Sequence, residues 1–209
     1  MILWAVLTWL TARNGQLDRA LELGREAVAA AHQPFNPVIR AQALFALGVA
    51  ESFSGLDDLA RGHLDEAFKI HEQYSMKREL AMDHTYVGYL AGRDGDHAAA
   101  IEHHRRAVSL AEEVGLPWTV MLTSCGLAEA LVEDGQGELG CRVLGMIEAI
   151  SERHDYPLTP AERRQVDATR ERARHLLGAA VADEAERAGA GSSIVDVVNS
   201  AARSPTGAR

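Results

Sequence analysis

Apolar residues recur at three- and four-residue intervals along the chain, as in "QALFALGVAESFSG" and "LDDLARGHLDEAFKIHEQY", with polar residues filling the positions between. That period predicts amphipathic helices. A glycine divides the stretches in pairs: Gly15, Gly55, Gly95 and Gly135, spaced 40 residues apart. One unit therefore reads as a helix, a tight turn and a second helix, with glycine accepting the positive φ that ends the first helix.

Other positions keep the same register. Five residues after each glycine stand Ala20, Ala60, Ala100 and Gly140, and seven further on stand Ala27, Ala67, Ala107 and Ile147. Eight residues before each glycine come Leu7, Leu47, Val87 and Leu127, followed by Thr8, Gly48, Gly88 and Ala128. Small residues at fixed offsets mark where two helix backbones approach each other. Asp57 and Asp96 are expected to cap the second helices.

A Leu-Gly pair in the first helix and two small residues in the second resemble the tetratricopeptide repeat, whose period is about 34 residues. The six additional residues per unit are expected between units, in "HQPFNPVI", "EQYSMKRE" and "EVGLPWTV". The fold class expected is all-α, a tetratricopeptide-like helical-hairpin solenoid with C-terminal capping helices. Its four repeats span about 1–37, 38–78, 79–117 and 118–152, followed by a helical extension over 153–203 and a disordered tail over 204–209.

Composition narrows the function. Of 209 residues, 47% are hydrophobic, enough for a core, and the formal charge is −9 with no exclusively basic tract, which argues against nucleic acid as a direct partner. The apolar opening "MILWAVLTWL" is too short to span a bilayer and lacks a signal peptide's basic start, so it reads as a buried helix and no membrane partner is expected. Cys125 and Cys141 form no Cys-x-x-Cys pair, which suits a reduced, cytoplasmic chain.

The pair His103-His104 invites a chemical reading, and the register argues against it. His104 takes the position of Gly24, Leu64 and Leu144, a packing position, and His103 that of Leu23, His63 and Val143. His63 and His103 then lie on equivalent faces of successive units, too far apart to share a zinc ion at about 2 Å from each. His84 stands where it can approach His104 in a small polar cluster. No metal or other cofactor is expected, and Arg105 and Arg106 beside Glu102 and Glu112 read as a solvated face.

After the repeats, Thr159, Pro160 and Glu162 form a capping box that opens a charged helix, Gly178 interrupts it, and Ser193 and Asp196 cap a last short helix. "LTPAERR" is similar to the opening of a LuxR-type DNA-binding domain, but no turn and recognition helix follow. Residues 141–197 as a whole resemble the end of the helical-repeat region of large actinobacterial ATP-binding regulators of the LuxR and cyclase-linked types. The matching positions are Leu144, Gly145, Pro160, Glu162, Arg163, Leu177, Gly178, Gly189, Ser193, Ile194 and Val197, whereas Ala182 and Glu186 replace the family's Phe and Trp anchors. No phosphate loop is present, so only the sensing end of such a regulator is implied.

The resemblance implies a concave surface lined by first-helix side chains: Ala5, Trp9, Phe45, Val49, Met82, Tyr89, Cys125 and Glu129. Such a surface suits a peptide, a partner protein or an apolar small-molecule effector. Its alternatives are filling by the C-terminal helices, or a homodimer contact through the uncapped N-terminal repeat. No catalytic residues are expected; an enzyme would need His84, His104, Glu129 or Tyr89 to converge in one pocket.

Overall fold

A computed structural model describes residues 2–31, 36–192 and 196–197. These residues contain ten helices and no strand: α1 (Ile2–Arg13), α2 (Leu17–Ala30), α3 (Pro37–Phe53), α4 (Asp57–Gln73), α5 (Lys77–Arg93), α6 (His97–Val114), α7 (Pro117–Glu133), α8 (Gly137–His154), α9 (Pro160–Leu177) and α10 (Ala179–Ala190). Two compact units divide the chain, Met1–Leu90 and Ala91–Arg209. The helix capped by Ser193 and the tail 204–209 lie outside the described residues.

The four register glycines all close hairpins in the left-handed region, at φ between 73° and 81°. At each, the N–H of the next residue reaches back five residues to a helix carbonyl: Gln16 to Thr11, Leu56 to Glu51, Asp96 to Ala91 and Gln136 to Leu131, at 2.8 to 3.1 Å. This is the Schellman closure, which satisfies carbonyls that the helix end leaves open. A second series of left-handed residues follows the same period between hairpins: Ser75 (φ 54°), Gly115 (φ 71°) and Asp155 (φ 52°).

Two local expectations need correction. Asp57 is the first residue of α4, one past its N-cap Leu56, and adds negative charge to the first turn. Asp96 does cap α6, accepting from the Ala99 N–H at 3.0 Å. The extra residues do not lengthen every connection either: residues 31–36 separate α2 from α3. Only Tyr74–Met76 separate α4 from α5, and Gly115–Leu116 separate α6 from α7. Extending a helix already nucleated satisfies one more backbone bond per residue, which favours longer helices over longer loops.

In unit 1, Ala20, Ala27, Ala60 and Ala67 are fully buried, as the small-residue register requires. Leu47 fills the space that a side chain at Gly24 would need, and Leu64 does the same at Gly48. In unit 2, α7 and α8 form a hairpin on which α9 and α10 pack. Thr159 and Glu162 exchange both capping-box bonds at the start of α9, and Gly178 (φ 81°) ends it.

α10 docks without aromatic anchors. Ala182 and Ala185 join Cys141, Ala173 and Val132 in one buried cluster, and a methyl group at Gly145 or Gly189 would collide with the carbonyls of Glu186 or Arg142. Backbone contact therefore replaces the bulky side chains. Around it, Arg170 binds Glu186 at 3.0 Å and Glu148 at 2.9 Å, while Arg163 binds Glu148 at 2.5 Å. Burial opposes the Glu148 charge, yet the two arginines hold its pKa below the ordinary carboxylate range.

Candidate functional site

In unit 1 the structure gathers five of the expected groove residues on one face. Val49 is fully buried with Ala60, Leu64, Tyr86 and Leu90, while Trp9, Phe45, Met82 and Tyr89 pack against that cluster and remain half-buried. Ala5 is buried beneath. Val49 is thus floor rather than surface, and the accessible face is the other four.

Tyr86 organises them, and sequence reasoning missed it. Its ring meets Phe45 edge-on at 5.5 Å, Tyr89 at 6.0 Å and Phe53 at 6.3 Å. Its hydroxyl accepts a hydrogen bond from the Trp9 indole N–H at 3.0 Å. The Arg13 guanidinium lies 4.5 Å above the centre of the Trp9 ring, a cation–π contact. The rings are therefore braced from behind in fixed orientations. The signal lay in the register, where Tyr86 stands in place of Val6, Ala46 and Gly126.

The remaining two expected residues belong to unit 2. Cys125 is buried, its thiol directed at the Met121 carbonyl, so it does not present a side chain to a ligand. Glu129 accepts a hydrogen bond from Gln165 of α9 at 2.6 Å. In this unit the C-terminal extension reaches the first-helix face at Glu129 and, through Arg172, at Glu133.

Among the described residues no pair of histidines forms a site within either unit. His104 is buried, its ring lying over Gly126, where any side chain would overlap it. Burial, and then the neighbouring His103, push its pKa down to about 3, so it is neutral packing. Burial also lowers His103, against the opposing charge of Glu102. His63 pairs with the buried Glu51 at 2.7 Å, and His84 lies edge-on to Phe68 at 4.9 Å. Arg105 pairs with Glu102 at 2.8 Å, as a solvated face should.

Among the described residues no group of three His, Cys, Asp or Glu side chains is arranged to hold a metal ion. Cys141 offers no thiolate nucleophile: burial pushes its thiol up to about 11. One ionisable pair that the sequence did not suggest lies inside unit 1. His71 Nδ1 and Asp83 Oδ2 are 2.7 Å apart and both residues are buried, with His71 Nε2 and Asp83 Oδ1 lacking hydrogen-bond partners. Burial raises Asp83 to about 6 despite the His71 bond and attraction, with Glu79 adding repulsion.

Unit 2 holds a cavity of about 260 Å³ at the C-terminal ends of α6, α8 and α10 and the start of α7. Val120, Met146 and Ile150 contribute apolar walls, and Glu112, Arg153 and His154 also line it.

The hairpin geometry defines a helical-repeat protein of tetratricopeptide type. Two solved structures share the fold. Nearly identical TPR-like repeats from Podosopora anserina, assigned to a kinesin light chain, superpose with a TM-score of 0.61 at 17% identity, covering 96% of each chain. A single-substitution variant of that protein gives 0.62 at 18% identity, covering 96% of this chain and 95% of the other. No protein-family model matches the sequence, and no curated protein does. The chain's fold class is all-α, a TPR-like helical-hairpin solenoid. No described helix is long and apolar enough to cross a membrane.

Proposed function

We propose that the protein is a non-enzymatic recognition module that binds a protein or peptide on the aromatic face of unit 1. The observation that carries this reading is the half-buried set Trp9, Phe45, Met82 and Tyr89, held rigid by the buried Tyr86. Aromatic side chains fixed in this way lose little conformational entropy when a partner covers them. The face takes apolar or aromatic side chains of an extended or helical segment.

Panning a random peptide library on the immobilised protein tests it. Selected peptides are expected to be rich in aromatic and aliphatic residues, and to lose at least about tenfold in affinity against Tyr89→Ala or Met82→Ala with helicity unchanged. Selection of nothing, or of peptides indifferent to both substitutions, refutes the assignment. Melting of the fold by Tyr89→Ala assigns that residue to the core and removes it from the site.

The wider setting we propose is the sensing end of a cytoplasmic transcriptional regulator of the LuxR or cyclase-linked type. Its support is the resemblance over residues 141–197, together with the capped, Gly178-broken pair α9 and α10 that those residues form. An apolar small-molecule effector in the unit 2 cavity suits that setting, with Val120, Met146 and Ile150 as apolar contacts. DNA control would then belong to another part of the system.

A further inference from the structure

We infer that the unit 2 cavity takes a small zwitterion with an apolar side chain, an α-amino acid of the leucine, methionine or phenylalanine kind, held at its ammonium by Glu112 and at its carboxylate by Arg153. The inference rests on the reading of this cavity as an effector site, and gives that effector its polar end.

The walls sort the ligand by size and polarity. Val120 and Met146 are buried and Ile150 is half-buried, so the inner surface offers carbon to an apolar side chain. A volume of about 260 Å³ lies just below the about 300–1,000 Å³ of sites that enclose drug-sized ligands, which suits a molecule of about ten non-hydrogen atoms.

Charge decides the rest. Glu112 stands in the last turn of α6 and Arg153 in the last turn of α8, and both helices pack on α7. Both side chains line the cavity, and within the described residues neither has an ion-pair or hydrogen-bond partner. Though opposite in sign, they stand too far apart to pair with each other. The other polar side chains named on the wall are engaged: the His154 ring stacks on Tyr156 at 6.3 Å, and Ser192 donates its hydroxyl to the Ala188 carbonyl at 2.9 Å. One anion and one cation are left to a ligand.

That pair disfavours simpler ligands. An uncharged apolar molecule covers both charges and satisfies neither, at a cost in desolvation. A fatty or aromatic acid meets Arg153 but brings a second negative charge to Glu112, and an amine meets Glu112 but brings a second positive charge to Arg153. A zwitterion answers both. The C-terminal ends of α6 and α10 also reach the cavity, and their carbonyl-rich termini favour the ammonium, while Arg153 and His154 offset the end of α8.

An NMR titration of the isotope-labelled 209-residue chain tests the inference, with L-leucine, L-methionine and L-phenylalanine as probes and the amides of Gly115, Val120, Met146 and Ile150 as reporters. At least one probe is expected to shift these amides, and its N-acetyl and amide derivatives to bind at least about tenfold more weakly, each having lost one charge-assisted contact. Glu112 and Arg153 are exposed, so replacing either leaves the core alone. Glu112→Gln is expected to weaken the free amino acid about tenfold and to spare the N-acetyl derivative, whereas Arg153→Gln weakens the amino acid and spares its amide. Binding indifferent to both substitutions overturns the inference. So does a doubly blocked N-acetyl amide that binds as tightly as its parent, which leaves the cavity as a purely apolar effector site. If no probe, free or blocked, shifts the reporters at millimolar concentration, the effector reading beneath the inference falls with it.

Discussion

Replacing His104 with leucine removes one source of acid sensitivity from unit 2. The unfolded chain holds this imidazole at its ordinary 6.5, whereas burial holds it near 3 in the fold. Between those values the unfolded state binds more protons than the native state, so stability is fully present above pH 6.5 and is lost as pH falls towards 3. From about pH 7.5 to about pH 5 this single group accounts for a loss of about 2 kcal/mol. Leucine suits the position by volume, and Leu64 and Leu144 already occupy it in other units. Urea unfolding followed by circular dichroism, at several pH values in that range, is the assay. The wild type is expected to lose about 2 kcal/mol more than His104→Leu on acidification. Parallel profiles for the two proteins would refute the account of His104 as neutral, desolvated packing.

Gly145→Ala is expected to destabilise by about 1–3 kcal/mol in the same assay, because the obstacle to the new methyl group is the Glu186 backbone and not a movable side chain. For Asp83 the sign is opposite to His104: its pKa is raised to about 6, so the native state holds the extra proton and stability falls as pH rises from about 4 to about 6. Asp83→Asn is therefore expected to gain stability relative to wild type between those pH values, and a relative loss would contradict the assignment. Ser75→Gly should stabilise the fold by about 0.5–1 kcal/mol, seen as a higher urea midpoint, since Ser75 holds the left-handed conformation that glycine takes at Gly115.

The hairpins were legible because each is closed by a residue that must be glycine or pay for not being one. Gly15, Gly55, Gly95 and Gly135 announce four turns at the correct positions, and the capping box at Thr159 announces α9. The second series of turns was hidden, since serine and aspartate at 75 and 155 do not betray a positive φ. The short connection around Ser75 was missed for the same reason. Asp57 was misplaced because acidity alone was read as a cap. The register puts the cap one residue after the glycine, at Gln16, Leu56, Asp96 and Gln136, and only Asp96 has a side chain that accepts there.

The site was legible to a lesser degree, and the reason lies in how a repeat encodes information. Positions shared by every unit report the fold, so the small residues at Ala20, Ala60 and Ala100 say nothing about a ligand. Function is carried by departures from the shared pattern. Tyr86 stands where other units have Val6, Ala46 and Gly126; His71 where they have Ala31, Ala111 and Ser151; Asp83 where they have Leu3, Ala43 and Thr123. All three lie in α4 and α5. One braces the exposed rings and two form the buried pair with unsatisfied polar atoms. The groove residues were chosen by register instead, which did not point to Tyr86 and which counted Val49 and Cys125 as surface although helix packing buries them. In a chain of repeats, the positions where one unit breaks ranks are the ones to mutate first.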